Sequence, residues 1–187
     1  MDRGRGTKGD LRRSLRARRR EIVAARDLAA DAAAIAAAAP AARPLPPFAT
    51  VLSYESLPHE PPTTALNEAL RAAGHRVLVP ITLADLRLQW CDLADPRRTG
   101  LGLDAPAGAD LAFVPALAVD TRGTRLGQGG GCYDRVLPML PTTSPVIAML
   151  HPGEHGHDPL PRDPHDVPVQ AVLSARGLSD AASVLRD

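Results

Sequence analysis

Aromatic residues, cysteines and long apolar runs are scarce in this chain, and each scarcity excludes a class of protein. Aromatic residues make up 3% of the 187 residues, so the core must consist mainly of Ala, Val, Leu and Ile. Cys91 and Cys132 are the only cysteines, and their wide separation without CxxC spacing argues against a disulfide scaffold or a zinc site. No apolar run approaches the roughly 18 residues of a membrane span. We therefore expect a soluble, cytoplasmic protein that has no membrane partner.

Net charge is also small, at +1, which argues against a globally basic nucleic-acid binder. Basic residues are nevertheless concentrated near the start of the chain, where residues 3–20 contain nine Arg or Lys and a single acid, Asp10. Most of these arginines are interpreted as a solvated helix face. Nucleic-acid binding is the weaker alternative, because no aromatic residues interleave with the charges to stack on bases. Lys8 is the only lysine of the chain, which hints at a specific role.

Two common nucleotide-binding motifs are absent from the sequence. No segment matches GxxxxGK followed by Ser or Thr, which excludes a P-loop NTPase. The pattern GxGxxG fails at its last position, where Cys132 stands in place of Gly or Ala. A nucleotide site in this chain must therefore be built in another way.

The most informative segment that is present is rich in glycine and runs from Arg125 to Arg135 with the sequence RLGQGGGCYDR. Glycines permit positive φ and close approach, and several in a row can form a concave nest of N–H groups that suits phosphate oxygens. Residues 133–138 have helical character, so a helix would direct its positive end at the same anion. Asp134 could hold a divalent cation beside that phosphate. An ordinary glycine-rich turn is the alternative, but the flanking charged residues favour a phosphate site.

Hydrophobic patterning predicts alternating strands and helices. A capping box formed by Thr7 and Asp10 opens a predicted long helix over residues 8–39, which Pro40 ends. Further helices are expected over residues 63–73 and 179–186. Continuous apolar runs predict buried strands at residues 48–54, 76–80, 111–114, 146–150 and 169–173. Apolar and polar residues alternate over residues 86–90, which predicts a half-exposed edge strand with antiparallel pairing as one option. Residues 92–110 are expected to form a loop.

This order of elements predicts an α/β fold of three layers, α/β/α, with a mostly parallel open sheet. The strand, helix and strand of residues 48–80 form a βαβ unit with a right-handed crossover. We expect one domain over residues 1–187, in which residues 1–7 and 175–187 are peripheral. Ligands of such sheets bind beyond the carboxyl ends of the strands, and the glycine-rich segment follows the predicted strand at residues 111–114.

The residues around the glycines resemble a known family signature. Residues 114–120, then Arg122 and Gly123, then residues 125–135 are similar to the signature of the 5-formyltetrahydrofolate cyclo-ligase family, also called 5,10-methenyltetrahydrofolate synthetase. Other segments agree in order, and they are Lys8 with Arg12, residues 52–54 leading to residues 60–63, residues 71–80 and residues 164–169. The resemblance covers about residues 8–174, which is nearly the whole chain.

The resemblance implies an enzyme that couples ATP hydrolysis to ring closure of 5-formyltetrahydrofolate, giving 5,10-methenyltetrahydrofolate, ADP and phosphate. It implies ATP and Mg²⁺ as cofactors, a reduced folate with or without a polyglutamate tail as substrate, no nucleic-acid partner, and a monomer or homodimer. The implied catalytic residues are Lys8 and Arg125. The residues implied to bind ATP are Lys8, Arg12, Arg125, Leu126, Gly127, Gln128, Gly129, Gly130, Gly131, Cys132 and Tyr133. Those implied to bind the folate are Ser53, Glu60, Gln128 and Cys132, and the implied Mg²⁺ ligands are Asp134 and Asp166.

Structural roles are the alternatives for several of these residues. Glu60 could be a solvated loop acid, Asp166 could belong to a surface turn, and Asp134 could be an acid that satisfies a helix dipole. The residues His151, His155 and His157 are spaced like a metal cluster but are interpreted as loop histidines.

The sequence departs from the family pattern in three places. Cys132 stands where the family usually has the first of two tyrosines, and Gln170 stands where Asp is common. Residues 102–106 lack the Glu of a Gly-Ile-x-Glu-Pro element. A folate- or nucleotide-binding module with weak or no turnover is therefore the alternative function.

Overall fold

A computed structural model describes residues 7–157, 159–164 and 166–182 of the chain. Within these residues, ten strands form two sheets. The strands are β1 Thr50–Leu52, β2 Arg76–Thr82, β3 Leu88–Asp92, β4 Leu111–Pro115, β5 Ala118–Asp120, β6 Arg125–Leu126, β7 Val146–Met149, β8 His155–His157, β9 Ala171–Ser174 and β10 Gly177–Asp180. The large sheet has the order β10-β9-β7-β4-β1-β2-β3, and the small sheet has the order β6-β5-β8.

The five central strands of the large sheet, β9, β7, β4, β1 and β2, run parallel, and the edge strands β3 and β10 are antiparallel to their neighbours. The predicted α/β fold with a mostly parallel sheet is therefore confirmed. β1 lies between β2 and β4, so the chain leaves β1 toward one side of the sheet and later builds the other side. Such a reversal opens a crevice beyond the carboxyl ends of β1 and β4, where open α/β sheets bind their ligands.

Helices cover both faces of the large sheet. The described residues form four α-helices, which are α1 Lys8–Ala24, α2 Leu28–Ala38, α3 Thr64–Ala72 and α4 Cys132–Val136. On one face, Ile35 of α2 and Leu66 of α3 pack against Phe113 of β4. On the other face, Leu137 directly after α4 packs with Ala148 of β7. Because both faces are covered, the central strands are continuous apolar runs in the sequence.

The prediction of a single helix over residues 8–39 is wrong. α1 begins with the predicted capping box but ends at Ala24. Asp27 then caps α2, because its carboxylate accepts hydrogen bonds from the backbone N–H groups of Ala29 and Ala30 at 3.0 and 3.1 Å. A capping Asp offers the backbone an alternative to helical hydrogen bonds, so the chain leaves one helix and starts another.

The end of the chain also differs from the prediction. β9 corresponds to the strand expected at residues 169–173, but β10 follows it and pairs antiparallel through a two-residue turn. Gly177 takes a φ of 108° at the end of this turn, which only glycine adopts readily. The helix expected over residues 179–186 is wrong in its described part, because Ser179 and Asp180 belong to β10. Residues 183–187 lie outside the described residues.

Two further outcomes concern the strands. β3 confirms the predicted edge strand and pairs antiparallel with β2, although its bounds are Leu88–Asp92. The small sheet was not predicted, because strands of two or three residues carry no readable alternation.

None of the helices in the described ranges is long and apolar enough to cross a bilayer.

Candidate active site

A cavity of about 430 Å³ lies beyond the carboxyl ends of β1, β2 and β4, in the crevice that the strand order creates. Its walls come from α1, from the segments that follow β1 and β4, from the β2–β3 hairpin, and from residues 127–131, called the glycine loop below. The lining residues are Arg12, Tyr54, Glu55, Leu57, Glu60, Pro80, Thr82, Leu88, Pro115, Ala116, Arg125, the glycine loop, Cys132, Tyr133 and Asp134.

The glycine loop has the backbone that its composition predicts. Gly129 and Gly131 have φ values of 109° and 65°, which L side chains rarely adopt. A Cβ on Gly129 would also lie 3.4 Å from the guanidinium of Arg12. Within the described part of the chain, the N–H groups of residues 129–131 donate no hydrogen bond, so they are open to an anion.

Arg125 lies beside the glycine loop and is held rigidly, with its side chain only 5% exposed. Its Nη1 donates to the carbonyl oxygen of Pro115 at 3.2 Å, and its Nη2 forms an ion pair with Asp134. The guanidinium carbon lies 5.7 Å from the centre of the Tyr133 ring. A Cβ on Gly127 would lie 2.7 Å from Nη1, so a side chain there would displace the guanidinium. Nε is buried with no partner among the described residues, which leaves a donor for a ligand.

One face of α1 directs basic side chains toward these loops. Nε of Arg12 donates to the carbonyl oxygen of Gly127 at 3.0 Å. Arg16 donates to the side-chain and backbone oxygens of Gln128 at 3.0 and 2.8 Å. Arg19 lies on the same face, because residues three and four positions apart are neighbours on a helix. The arginines at positions 13, 18 and 20 are exposed, as expected for a solvated face.

Arg19 is buried, and sequence reasoning missed its role. It forms a two-pronged ion pair with Glu154, with both N–O distances at 2.7 Å and both side chains 3% exposed. Its Nη2 also donates to the carbonyl oxygen of Ala116 in the cavity wall. The Glu154 carboxylate accepts a further hydrogen bond from the N–H of His151 at 2.9 Å. These contacts fix α1 to the segments that follow β4 and β7.

Glu60 follows β1 and lines the cavity, where it is buried rather than solvated, and its proposed folate contact stays a prediction. Its carboxylate accepts a hydrogen bond from the N–H of Leu57 at 3.0 Å. Burial raises the pKa of Glu60, and the Leu57 hydrogen bond opposes that rise. The preceding residue, His59, has a φ of 69°, and its carbonyl oxygen accepts a hydrogen bond from Nε2 of His151 at 3.1 Å. The loop that carries Glu60 is therefore fixed at several points.

Four predicted site residues do not line the cavity formed by the described residues. Nζ of Lys8 forms an ion pair with Asp163 at 2.7 Å. The Ser53 hydroxyl is fully buried and donates to Asn67 at 2.6 Å, and Leu126 belongs to a small apolar cluster. Asp166 accepts a hydrogen bond from the N–H of Asp163 at 2.8 Å. Their proposed ligand contacts stay predictions, and His165, which belongs to the same motif as Asp166, lies outside the described residues.

The donors near the cavity fit a Mg²⁺ ion that is shared with phosphate. Mg²⁺ takes one or two carboxylates and completes its shell with phosphate oxygens and water. Asp134 lines the cavity and its side chain is 49% exposed, so it can offer an oxygen to such an ion. No group of three or more metal-ligating side chains occurs within the described ranges. Nε2 of His151 and of His155 contact backbone oxygens instead.

Several residues in or near the cavity were not predicted from the sequence, although the sequence contains signals for some of them. Tyr54 and Glu55 lie just beyond the carboxyl end of β1, where ligand-binding residues are expected, but the strand predicted at residues 48–54 includes Tyr54. Arg16 and Arg19 do not line the cavity but contact segments beside it, and their helix spacing from Arg12 places them on the same face. Leu57 and Leu88 carry no such signal, because scattered leucines occur everywhere in a sequence.

Comparisons with known proteins agree with this geometry. Residues 5–175 match the model of the 5-formyltetrahydrofolate cyclo-ligase family. The chain is 37% identical over 144 residues to the 5-formyltetrahydrofolate cyclo-ligase of Mycolicibacterium smegmatis, covering 68% of this chain and 74% of that protein. It is 28% identical over 147 residues to the enzyme of the same name from Escherichia coli K12, covering 67% and 77%.

Solved structures show the same fold. The 5,10-methenyltetrahydrofolate synthetase of Mycoplasma pneumoniae superposes with a TM-score of 0.72 at 23% identity, covering 94% of this chain and 99% of that chain. The synthetase of Aquifex aeolicus superposes with a TM-score of 0.67 at 20% identity, covering 96% and 95%. Because the family model spans nearly the whole chain and a relative above 30% identity covers two thirds of it, the chain belongs to the 5-formyltetrahydrofolate cyclo-ligase family.

Proposed function

We propose that this chain catalyses the ATP-dependent cyclisation of 5-formyltetrahydrofolate to 5,10-methenyltetrahydrofolate, with release of ADP and phosphate. Family membership supports the coarser statement that the chain is a cyclo-ligase. The observation that supports the ATP-dependent reaction is that a single cavity combines groups suited to phosphate with a group suited to an amine edge. A glycine loop with buried Arg125 suits phosphate, and the buried carboxylate of Glu60 suits paired N–H donors.

The phosphate side of the cavity consists of the glycine loop, Arg12 and Arg125. Two sets of hydrogen-bond donors face this side without a partner among the described residues. They are the N–H groups of residues 129–131 and Nε of Arg125, and the oxygens of a triphosphate can accept hydrogen bonds from both. Such donors act strongly in a site that excludes water. Lys8 is a further proposed phosphate ligand. To bind the nucleotide, its ammonium group would leave the ion pair with Asp163 and pair with a phosphate instead. Asp134 would hold Mg²⁺, which neutralises phosphate charge when bound.

The folate side of the cavity consists of Glu60, Gln128 and Cys132. The Glu60 carboxylate accepts paired N–H groups well, as the amine edge of a pterin presents them. The Gln128 side chain accepts a hydrogen bond from Arg16 and lines the cavity, so its amide can exchange this contact for the substrate. The Ser53 hydroxyl donates to Asn67 at 2.6 Å and does not line the cavity.

The proposed reaction uses this arrangement in two steps. A formamide oxygen is a poor leaving group, so transfer of the γ-phosphoryl group of ATP to that oxygen releases ADP and creates a good one. N10 of the folate then attacks the formyl carbon, the carbon–oxygen bond breaks, and phosphate leaves with loss of the N10 proton. The protein contributes positioning and charge stabilisation, with Arg125 and the loop N–H groups acting on the transferred phosphoryl group.

The test is the growth of methenyl-folate absorbance from 5-formyltetrahydrofolate in the presence of Mg-ATP. We expect Arg125→Ala to lower kcat by roughly a hundredfold, because it removes a preorganised donor to the transferred group. Arg13→Ala is the matched control, because this side chain is 79% exposed and contacts Asp10 on its own helix. No absorbance from folded wild-type protein would overturn the proposal, and so would equal rates for the two variants.

A folate- or nucleotide-binding module with weak turnover is the second candidate, and Cys132 in the cavity wall favours it. This candidate predicts that the wild-type protein binds 5-formyltetrahydrofolate or ATP by calorimetry while turnover stays low. The proposed partners remain the two small molecules, and a monomer or homodimer in the cytoplasm remains the expectation.

A further inference from the structure

Two tyrosine hydroxyls in the cavity region form no hydrogen bond with the described part of the chain. Tyr54 and Tyr133 both line the cavity, and both hydroxyl oxygens are buried without a hydrogen bond to any described residue. They are the only tyrosines of the chain. Buried hydroxyls are nearly always hydrogen-bonded in folded proteins, because an unsatisfied one loses its bonds to water without replacement. Two such groups in one cavity point to a ligand that supplies the missing acceptors.

Tyr54 is fixed in place by its surroundings rather than by its hydroxyl. The residue is 3% exposed, and its ring packs with the apolar cluster that contains Leu66 and Phe113. Its backbone oxygen accepts hydrogen bonds from the Thr63 hydroxyl at 2.7 Å and from the Asn67 amide at 3.0 Å. The phenol is therefore held rigidly while its polar end is left unsatisfied.

The Tyr54 hydroxyl is a donor at neutral pH. Burial raises the pKa of Tyr54 well above its ordinary value, and the charge of Glu60 raises it further. Glu60 and Tyr54 both line the cavity, so its wall contains an acceptor, the Glu60 carboxylate, and a donor, the Tyr54 hydroxyl. A ligand that contacts both groups presents N–H groups and a carbonyl oxygen, as the amino-oxo edge of a pterin ring does.

We propose that Tyr54 is a substrate-binding residue, whose hydroxyl donates a hydrogen bond to the ring carbonyl oxygen of the folate while Glu60 accepts the adjacent N–H groups. This inference rests on the proposed function, since it takes the folate as the second substrate. It assigns Tyr54 to the folate rather than to ATP because Tyr54 follows β1, as Glu60 does, whereas the glycine loop of the phosphate side follows β6.

Tyr54→Phe tests the assignment, because it removes the hydroxyl and keeps the ring. We expect the KM and the calorimetric Kd for 5-formyltetrahydrofolate to rise about five- to tenfold, which corresponds to the loss of one hydrogen bond. The KM for ATP should change less than about twofold by the same reasoning. The thermal midpoint should stay equal or rise, because the variant removes a buried polar group that has no protein partner.

Thr124→Val is the matched control. The Thr124 hydroxyl is also buried without a partner among the described residues, but Thr124 does not line the cavity. Its loss should leave the affinity for folate unchanged. An unchanged folate affinity in Tyr54→Phe would overturn the inference, and so would a weaker affinity for ATP alone or a lowered thermal midpoint with equal losses for both ligands.

The calorimetric measurement separates this inference from the proposed function. If the wild-type protein shows no turnover but Tyr54→Phe weakens folate binding, the proposed reaction fails and the role of Tyr54 stands. If the wild-type protein turns over and Tyr54→Phe binds folate as tightly, the inference fails and the reaction stands. Absence of both turnover and folate binding in the wild-type protein overturns both.

Discussion

Cys132 is half-buried in the cavity wall, directly after the glycine loop. An aromatic ring there would add stacking area against a flat ligand, which contributes about 0.5–1.5 kcal/mol beyond burial. We therefore expect Cys132→Tyr to lower the KM for 5-formyltetrahydrofolate by about two- to tenfold in the absorbance assay. Cys132→Ser is the control, because it changes the atom and adds no ring. An unchanged or raised KM in Cys132→Tyr would contradict the expectation.

Single residues were predictable where their chemistry depends on local sequence. The glycine loop, Arg125 and Asp134 belong to one local segment, and they line a cavity together with Glu60, which the family resemblance implied. Their ligand contacts stay predictions. Tyr54 was not predictable in the same way, because a tyrosine after an apolar strand looks like any core aromatic. The folded structure is needed to show that its buried hydroxyl has no hydrogen bond to any residue in the described ranges.

Among the elements, α1 is the one for which prediction and structure differ most. The sequence predicts that most of its arginines form a solvated face, yet Arg12, Arg16 and Arg19 each contact a segment beside the cavity. Residue spacing alone could place these arginines on one face, but it could not say that the face is covered. The break before α2 was not predicted, because the hydrophobic pattern is compatible with Asp27 inside a helix. The break depends on the capping hydrogen bonds that the Asp27 carboxylate accepts at the start of α2.

The attachment of α1 depends on the buried pair of Arg19 and Glu154. Arg19→Met leaves a carboxylate buried without its partner, which typically destabilises a protein by about 3–5 kcal/mol. We expect a loss of this size in the free energy of unfolding by urea denaturation, and a partial recovery in the double variant Arg19→Met with Glu154→Leu. The exposed Arg13→Met should stay within about 0.5 kcal/mol of the wild type. An Arg19→Met variant as stable as Arg13→Met would show that the pair does not secure the helix.

For the whole molecule, the alternation of strands and helices was readable but the order of the strands was not. Continuous apolar runs identify β4 and β7 because both faces of the sheet are covered. The pairing of Val51 with Leu111, which places β4 beside β1, joins residues far apart in the chain. Local patterning contains no information about such a pairing, and yet it is this pairing that creates the crevice for the site.

The stability of the whole fold is expected to depend on pH through His151, which joins the loop carrying Glu60 to the segment after β7. Burial, the largest cause, lowers the pKa of His151 below its ordinary value of 6.5, and Arg19 acts in the same direction. Glu154, Asp31 and the hydrogen bond to His59 oppose this shift. Because the unfolded chain takes up a proton on His151 before the folded chain does, stability contributed by the neutral imidazole falls as the pH drops below 6.5.

Glu60 acts with the opposite sign, since burial raises its pKa above 4.5 and the folded chain is protonated there first. The difference between the wild type and His151→Gln isolates the histidine, because Glu60 contributes equally to both. Gln keeps an N–H group for the His59 carbonyl oxygen but does not titrate. We expect the thermal midpoint of the wild type to fall relative to that of His151→Gln between about pH 8 and about pH 5. Parallel curves over this range would show that the His151 proton is not linked to folding.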